Sequence, residues 1–201
     1  MPMNIGIYVF NNAEVLDFAG PFEVFTTATR VARHQQPDQP RPFDVFSISQ
    51  DGKPVTLRAG LVIQPDHSLT SHPMIDLLLV PGGIVTEQLK RPEVIDWIRK
   101  TNSNTQLTAS VCTGAMLLAS AGLLDGRSAT THWEDLAELQ TSYPQVKVLA
   151  ERRWVDEGHI VTSAGISAGI DMCLHLVERL AGRTLAEATA RQMEYDWRNQ
   201  E

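Results

Sequence analysis

Only two cysteines occur in the 201 residues, Cys112 and Cys173. They lie far apart and neither belongs to a Cys-x-x-Cys pair, which argues against a disulfide framework or a cysteine zinc site and fits a reducing compartment. No apolar stretch approaches the ~20 residues that span a bilayer. The opening residues Met1-Pro2-Met3-Asn4 carry no basic segment or small-residue cleavage site, so a cytoplasmic protein without a standard export signal or membrane partner is expected. Positive charge is also scarce. The formal net charge is −7, and such a chain lacks the basic face that neutralises phosphates, so no nucleic-acid partner is expected for it alone. Internal repeats, low-complexity tracts and linkers are missing as well. What is present is an ordinary globular composition, 43% hydrophobic and 20% charged, over a length that fits one domain spanning residues 1–201.

Short apolar runs alternate with helical patterns. Asn4 to Phe10 reads as a buried first strand closed by Asn11-Asn12, and Phe18, Phe22, Phe25 and Ala28 follow at helical spacing. Gly20-Pro21 should interrupt that helix, so a start at Pro21 is expected. His34 to Pro42 reads as an exposed loop and Phe43 to Ile48 as a strand beside the first, with Leu61 to Ile63 a possible edge strand. Ile75 to Val80 is apolar throughout, which implies burial on both faces, and Pro81-Gly82-Gly83 stops it. Helices are expected over Pro92 to Lys100, Thr113 to Ala121 and His132 to Gln140, and strands over Gln106 to Val111 and Val146 to Val148. A hairpin turning at Asp156-Glu157-Gly158 comes next. Ser167 or Ala168 to Ala181 and Thr184 to about Arg198 finish the chain, the latter with a capping box at Thr184 and Glu187. The pattern is that of an α/β protein with an open, mostly parallel sheet covered on both faces and one antiparallel excursion.

Sites in such sheets form at the carboxyl ends of strands. Three unusual segments fall there: Asn11 to Pro21, Pro81-Gly82-Gly83 and Cys112-Thr113-Gly114. A cysteine between a buried strand and a small-residue helix start sits at a sharp turn of the nucleophile-elbow kind. The amino end of the following helix favours the thiolate, so Cys112 is expected to have a lowered pKa and to be solvent-reachable. A buried structural thiol is the plain alternative, and Cys173, beside Met172 and Leu174 in an apolar helix, is assigned that role. Gly82-Gly83 can supply one backbone donor for developing negative charge and the Thr113 N–H another, although Pro-Gly-Gly would serve equally as an ordinary turn.

Asp17 is a lone acid between apolar residues. Partial burial and a nearby thiolate would raise its pKa and suit it to proton transfer; capping a helix is the simpler role. Glu14 and Glu23 rank below it. His132 raises a papain-like Cys–His alternative, but no orienting partner is visible, and a pocket-lining role is favoured.

Taken together, Asp17-Phe18-Ala19-Gly20-Pro21, Pro81-Gly82-Gly83, Ser110-Val111-Cys112-Thr113-Gly114-Ala115, Ala129-Thr130-Thr131-His132-Trp133 and Thr162-Ser163-Ala164-Gly165 resemble the ThiJ/PfpI superfamily. The branch they resemble contains isonitrile hydratases and the amidotransferase-like sensor domains of AraC-type regulators. The resemblance implies a flavodoxin-like three-layer sandwich, usually a homodimer, with Cys112, Asp17 and Thr113 catalytic and Gly82, Gly83, His132, Ala164 and Gly165 around a small-molecule substrate. It requires no metal or organic cofactor. Aspartate at 17 and threonine at 113 depart from the family's proteases, which carry glutamate and histidine there, and match the isonitrile hydratase pattern. A sensor that binds a small molecule, or whose Cys112 is reversibly oxidised, is the other reading. A chain ending at Glu201 is expected to lack the regulators' DNA-binding module, which favours an enzyme.

Overall fold

The structure is a computed structural model that describes residues 1–199. In chain order the elements are β1 (Met3–Tyr8), α1 (Val15–Gln35), β2 (Phe43–Ser49), β3 (Val55–Thr56), β4 (Val62–Ile63), β5 (His67–Ser68), β6 (Leu77–Val80), α2 (Thr86–Leu89), α3 (Pro92–Asn102), β7 (Leu107–Val111) and α4 (Gly114–Ser120). After them come β8 (Ser128–Ala129), α5 (Leu136–Ser142), β9 (Lys147–Val148), β10 (Trp154–Asp156), β11 (Ile160–Ser163), α6 (Ala168–Ala181) and α7 (Arg183–Gln192). Among the described residues, seven strands form the central sheet in the order β10-β11-β7-β6-β1-β2-β5. Only the β10–β11 pair is antiparallel, which is the hairpin at Gly158.

Alternation along the strands builds three layers. Ile5, Ile7, Leu77, Leu79, Ala109 and Val111 face a core that includes Val24 and Phe25 of α1, Leu174 and Val177 of α6, and Ala186 of α7. Tyr8, Leu78 and Val80 face the opposite core with Val94 and Ile98 of α3 and Leu117 and Leu118 of α4. Because successive side chains point to opposite faces, a strand covered on both sides must be apolar at every position, and Leu77–Val80 is. Among the described residues no helix is long and apolar enough to cross a membrane.

Three expectations need correction. Helix α1 begins at Val15 and runs through Pro21. Proline there removes only the N–H that would meet the Asp17 carbonyl, and burial of Val24, Phe25 and Ala28 outweighs that loss. Residues 62–63 pair with Val55–Thr56 outside the central sheet, whose edge is instead the polar His67–Ser68. Lys147–Val148 is a strand as expected and pairs with Ser128–Ala129 in a separate ribbon. The capping box at Thr184 does not form: α7 starts after Gly182, ends at Gln192, and Glu187 accepts a hydrogen bond from Arg183 Nε at 2.8 Å.

Candidate active site

Cys112 is the first of the two residues between β7 and α4, with φ +56°, a left-handed conformation that costs a residue with a side chain. The fold holds it from both sides. Its N–H donates to the carbonyls of Ser163 (3.2 Å) and Ala164 (3.3 Å), and its own carbonyl accepts from Thr131 Oγ1 at 2.8 Å. Only glycine fits two residues on, since a Cβ on Gly114 would lie 2.2 Å from the Val80 carbonyl. The turn is therefore an elbow. The thiol it projects is 7% exposed, and its pKa is pushed up to about 12 by burial first and the charge of Asp17 second. The Thr113 N–H favours the thiolate but does not outweigh those effects. An open, ionised thiol was expected at Cys112; desolvation on a helix of only seven residues overrides the helix-end field. Cys173 is fully buried in the α6 core, consistent with packing.

Asp17 lies in the first turn of α1 and is 0% exposed. Its Oδ2 accepts the Gly82 N–H at 3.0 Å, whereas Oδ1 has no hydrogen-bond partner. Burial raises its pKa to about 7, helped by the charge of Glu14; the Gly82 N–H, the Cys112 thiol and the Ile166 N–H offset part of the rise. Thus Asp17 does not cap the helix. It stands beside the sulfur as an acid that gains and loses a proton near neutrality, and its unpartnered oxygen is where that proton can reside.

The glycine pair serves a purpose other than the one expected. The Gly82 N–H is committed to Asp17, and the Gly83 N–H donates to Thr113 Oγ1 at 2.9 Å. Neither is free to stabilise an oxyanion. The Thr113 hydroxyl in turn donates to the Gly83 carbonyl at 2.8 Å, so it fastens the turn and is not available to hold a water. A Cβ at Gly82 would sit 2.6 Å from Thr113 N and Oγ1 and 2.9 Å from Asp17 Oδ2. At Gly83, φ is +132° and a Cβ would meet the Asn12 carbonyl at 2.3 Å. The three loops are thus sewn together by groups that only glycine lets approach.

His132 caps the short 3-10 turn Trp133–Asp135, its Nδ1 accepting the Glu134 N–H at 3.4 Å with the Asp135 carboxylate 3.5 Å away. No hydrogen bond joins it to Cys112 among the described residues. Its ring packs on Gly165, where a Cβ would overlap it at 2.0 Å. His132, Trp133, Gly165 and Ile166 line a cavity of about 510 Å³ whose walls also include Thr131 and Ala164, the residues bonded to the Cys112 backbone. A larger cavity of about 610 Å³ lies between α1 and α7, lined by Arg30, His34 and Arg191, and contains none of the expected site residues.

The structure therefore brings Cys112, Asp17, Thr113, Gly82 and Gly83 into one cluster, with His132, Ala164 and Gly165 along its edge. Thr131 and Ile166 were not singled out from the sequence, because a buried backbone bond and a φ of +50° leave no compositional mark. Leu16, Ile84, Trp133 and Ile166 are exposed apolar side chains, each next in sequence to a residue of this cluster or its edge. Among the described residues no three His, Cys, Asp or Glu side chains are grouped to hold a metal.

Residues 3–179 match the DJ-1/PfpI family. The chain is 33% identical over 198 residues to an isonitrile hydratase from Pseudomonas putida, covering 97% of this chain and 79% of that protein. It is 39% identical over 145 residues to the HTH-type transcriptional regulator CdhR of Pseudomonas aeruginosa, 72% of this chain and 43% of the regulator, so it spans about half or less of such relatives. Among solved structures, a ThiJ/PfpI family protein from Pseudomonas syringae superposes with a TM-score of 0.85 at 26% identity, covering 100% of this chain and 78% of that one.

Proposed function

Because the chain belongs to the DJ-1/PfpI family, we propose that it is a cysteine-dependent hydratase converting an isonitrile to an N-substituted formamide through a thioimidate on Cys112. The observation that carries this reading is the pairing of a neutral, buried thiol with a carboxyl group that titrates near 7 beside it. A thiolate at rest is not needed. As the sulfur attacks the terminal carbon of R–N≡C, the Asp17 carboxylate takes the thiol proton and returns it to that carbon, giving R–N=CH–S–Cys112. Water then adds to the same carbon, with Asp17 accepting a proton from it and passing that proton to the nitrogen. Collapse expels the sulfur, a proton returns to it, and R–NH–CHO leaves; one water is consumed in all.

Charge in the first step develops on carbon and is quenched by a proton, so no oxyanion hole is needed there. That suits a site whose Gly82 and Gly83 N–H groups are already bonded. The 510 Å³ cavity beside the elbow would take the substituent R, with Trp133, Leu136 and Ile166 as its apolar wall and Glu151 and Arg152 as its charged one. We take the active form to be a homodimer with no cofactor, as the resemblance implies, in the cytoplasm that two unpaired cysteines suit.

The test is incubation with a simple alkyl isonitrile and mass spectrometry of the intact protein. A mass increase of one ligand on the Cys112 peptide and release of the formamide are expected, both lost in Cys112→Ala, with turnover lost in Asp17→Asn. Binding without adduct or product would instead favour a small-molecule sensor. That second reading draws on the regulators among the relatives, and peroxide oxidation of Cys112 without turnover would support its redox form.

A further inference from the structure

A second cleft, of about 290 Å³, opens at the carboxyl ends of β1 and β2 and is lined by Tyr8, Asn11, Gln50, Gln88 and Arg91 among others. It shares no residue with the cavity lined by His132 and Gly165. Its floor is polar where the surroundings call for hydrocarbon: Tyr8 stacks on Phe10 and tilts against Trp97, each at 5.6 Å, and is fully buried. Yet its hydroxyl donates to Gln88 Oε1 at 2.6 Å, and Gln88 is only 6% exposed. Burying such a pair where two apolar side chains would pack equally well costs free energy unless its remaining hydrogen-bonding capacity is used. Gln88 Nε2 makes no hydrogen bond among the described residues, and Gln88 lines the cleft.

At the rim stands Arg91, half-buried at the residue before α3. Its guanidinium donates to Gln50 Oε1 but forms no ion pair with a carboxylate among the described residues, in a chain of net charge −7. Its positive charge reaches the Tyr8 hydroxyl and opposes the upward push of burial on that group; Glu93 acts the other way. Lys53 and Asp51, paired at 2.8 Å, both line the rim and offset each other in charge, which leaves Arg91 as the cation facing the cleft. A forked donor without an anion and a buried amide N–H, both facing one small cavity, form a constellation suited to two oxygens of one negatively charged group.

We propose that this cleft binds a small ligand bearing an oxyanion, a carboxylate or a phosphate, held by the Arg91 guanidinium and the Gln88 side-chain amide. The cleft is at the small end of ligand cavities, which limits the ligand to a compact metabolite. Its wall residue Asn11 accepts the Thr56 N–H at 2.8 Å through Oδ1, and the next residue, Asn12, accepts the Ile84 N–H at 3.0 Å. The site therefore borders the loop that leads to Asp17 without touching the reacting groups.

The experiment is calorimetric titration of the full chain with sodium acetate, sodium succinate and inorganic phosphate in separate arms, alongside NMR of the glutamine side-chain amides. One saturable site for at least one of the three is expected, with the Gln88 amide resonance moving as it fills. The arm that saturates identifies the oxyanion. Arg91→Ala and the shape-matched Gln88→Leu should each weaken binding at least tenfold, on the order expected for a charge-assisted bond, while Cys112→Ser leaves it unchanged. Arg91→Lys, which keeps the charge and loses the fork, should fall between. Absence of saturable binding in every arm, equal affinity in folded Arg91→Ala, or loss of binding in Cys112→Ser overturns the proposal.

Discussion

Asp17 and Gly82, 65 residues apart in sequence, are joined by one hydrogen bond from the Gly82 N–H to Asp17 Oδ2 at 3.0 Å. That bond fixes one carboxyl oxygen and leaves Oδ1 without a partner inside a water-excluded compartment beside Cys112. The consequences for pH, stability and reactivity follow from this asymmetry.

Turnover of an isonitrile should rise with pH along a single titration near 7, because Asp17 must be ionised to take the thiol proton and its pKa is about 7. A kcat/KM profile measured between pH 5.5 and 8.5 reports this group in the free enzyme. A flat profile, or one rising only above pH 9 with the thiol itself, would exclude Asp17 as the base.

The same shift has the opposite sign for stability. Below pH 4 Asp17 is protonated in the folded and unfolded chains alike, and between the unfolded value of 3.8 and about 7 only the folded state holds the proton. Stability from this group therefore falls as pH rises across that window and levels off above it. Asp17→Asn removes the penalty and should stabilise the protein at pH 8 by on the order of 2–4 kcal/mol, with little effect near pH 4. Thermal melts at the two pH values check the difference; an equal shift at both would mean the effect is packing.

Gly82→Ala should damage both stability and turnover. The added methyl would press on Thr113 N and Oγ1 at 2.6 Å and on Asp17 Oδ2 at 2.9 Å, none of which is a flexible side-chain end. A loss of about 1–3 kcal/mol is expected from overpacking, together with a displaced acidic limb in the pH profile. An active variant with the wild-type profile would show that the close approach is not required.

Thr113→Val keeps the shape and removes the hydroxyl that both accepts from and donates to Gly83. Leaving the Gly83 N–H and carbonyl unpaired should cost about 1–3 kcal/mol in urea denaturation. Thr113→Ser should recover most of that. If valine is tolerated without loss, the two bonds add nothing beyond what solvent supplies.

Cys112 should react slowly with iodoacetamide at pH 7.5, at under about a tenth of the rate of a free thiol with pKa near 8.5, since burial and Asp17 hold it protonated. Asp17→Asn should speed the reaction by removing the negative neighbour. Fast alkylation of the native protein would indicate an open, ionised sulfur instead.

Much of the fold was legible in the sequence. The apolar run ending at Val80 and the strand-helix junction at Cys112 announce a doubly covered sheet because periodicity and turn residues act locally. Helix α1 shows the boundary of that reasoning. Gly20-Pro21 is a helix-breaking signal by itself, and only burial of Val24, Phe25 and Ala28 against other elements carries the helix back to Val15. The convergence of Asp17, Gly82 and Cys112 was likewise predictable, since strand ends in such a sheet share one rim.

What tertiary structure alone decided is the ionic state and the wiring of the site. Residue type says that a cysteine before a helix can be acidic; whether it is depends on how much water the surrounding loops exclude, and here they leave 7% of it exposed. Likewise, no spacing in the chain reveals that the Gly82 and Gly83 N–H groups are already bonded to Asp17 and Thr113. Local sequence determines which backbone shapes are cheap, whereas desolvation and hydrogen-bond partnership depend on atoms 30 to 65 residues away that only the packed chain brings within reach.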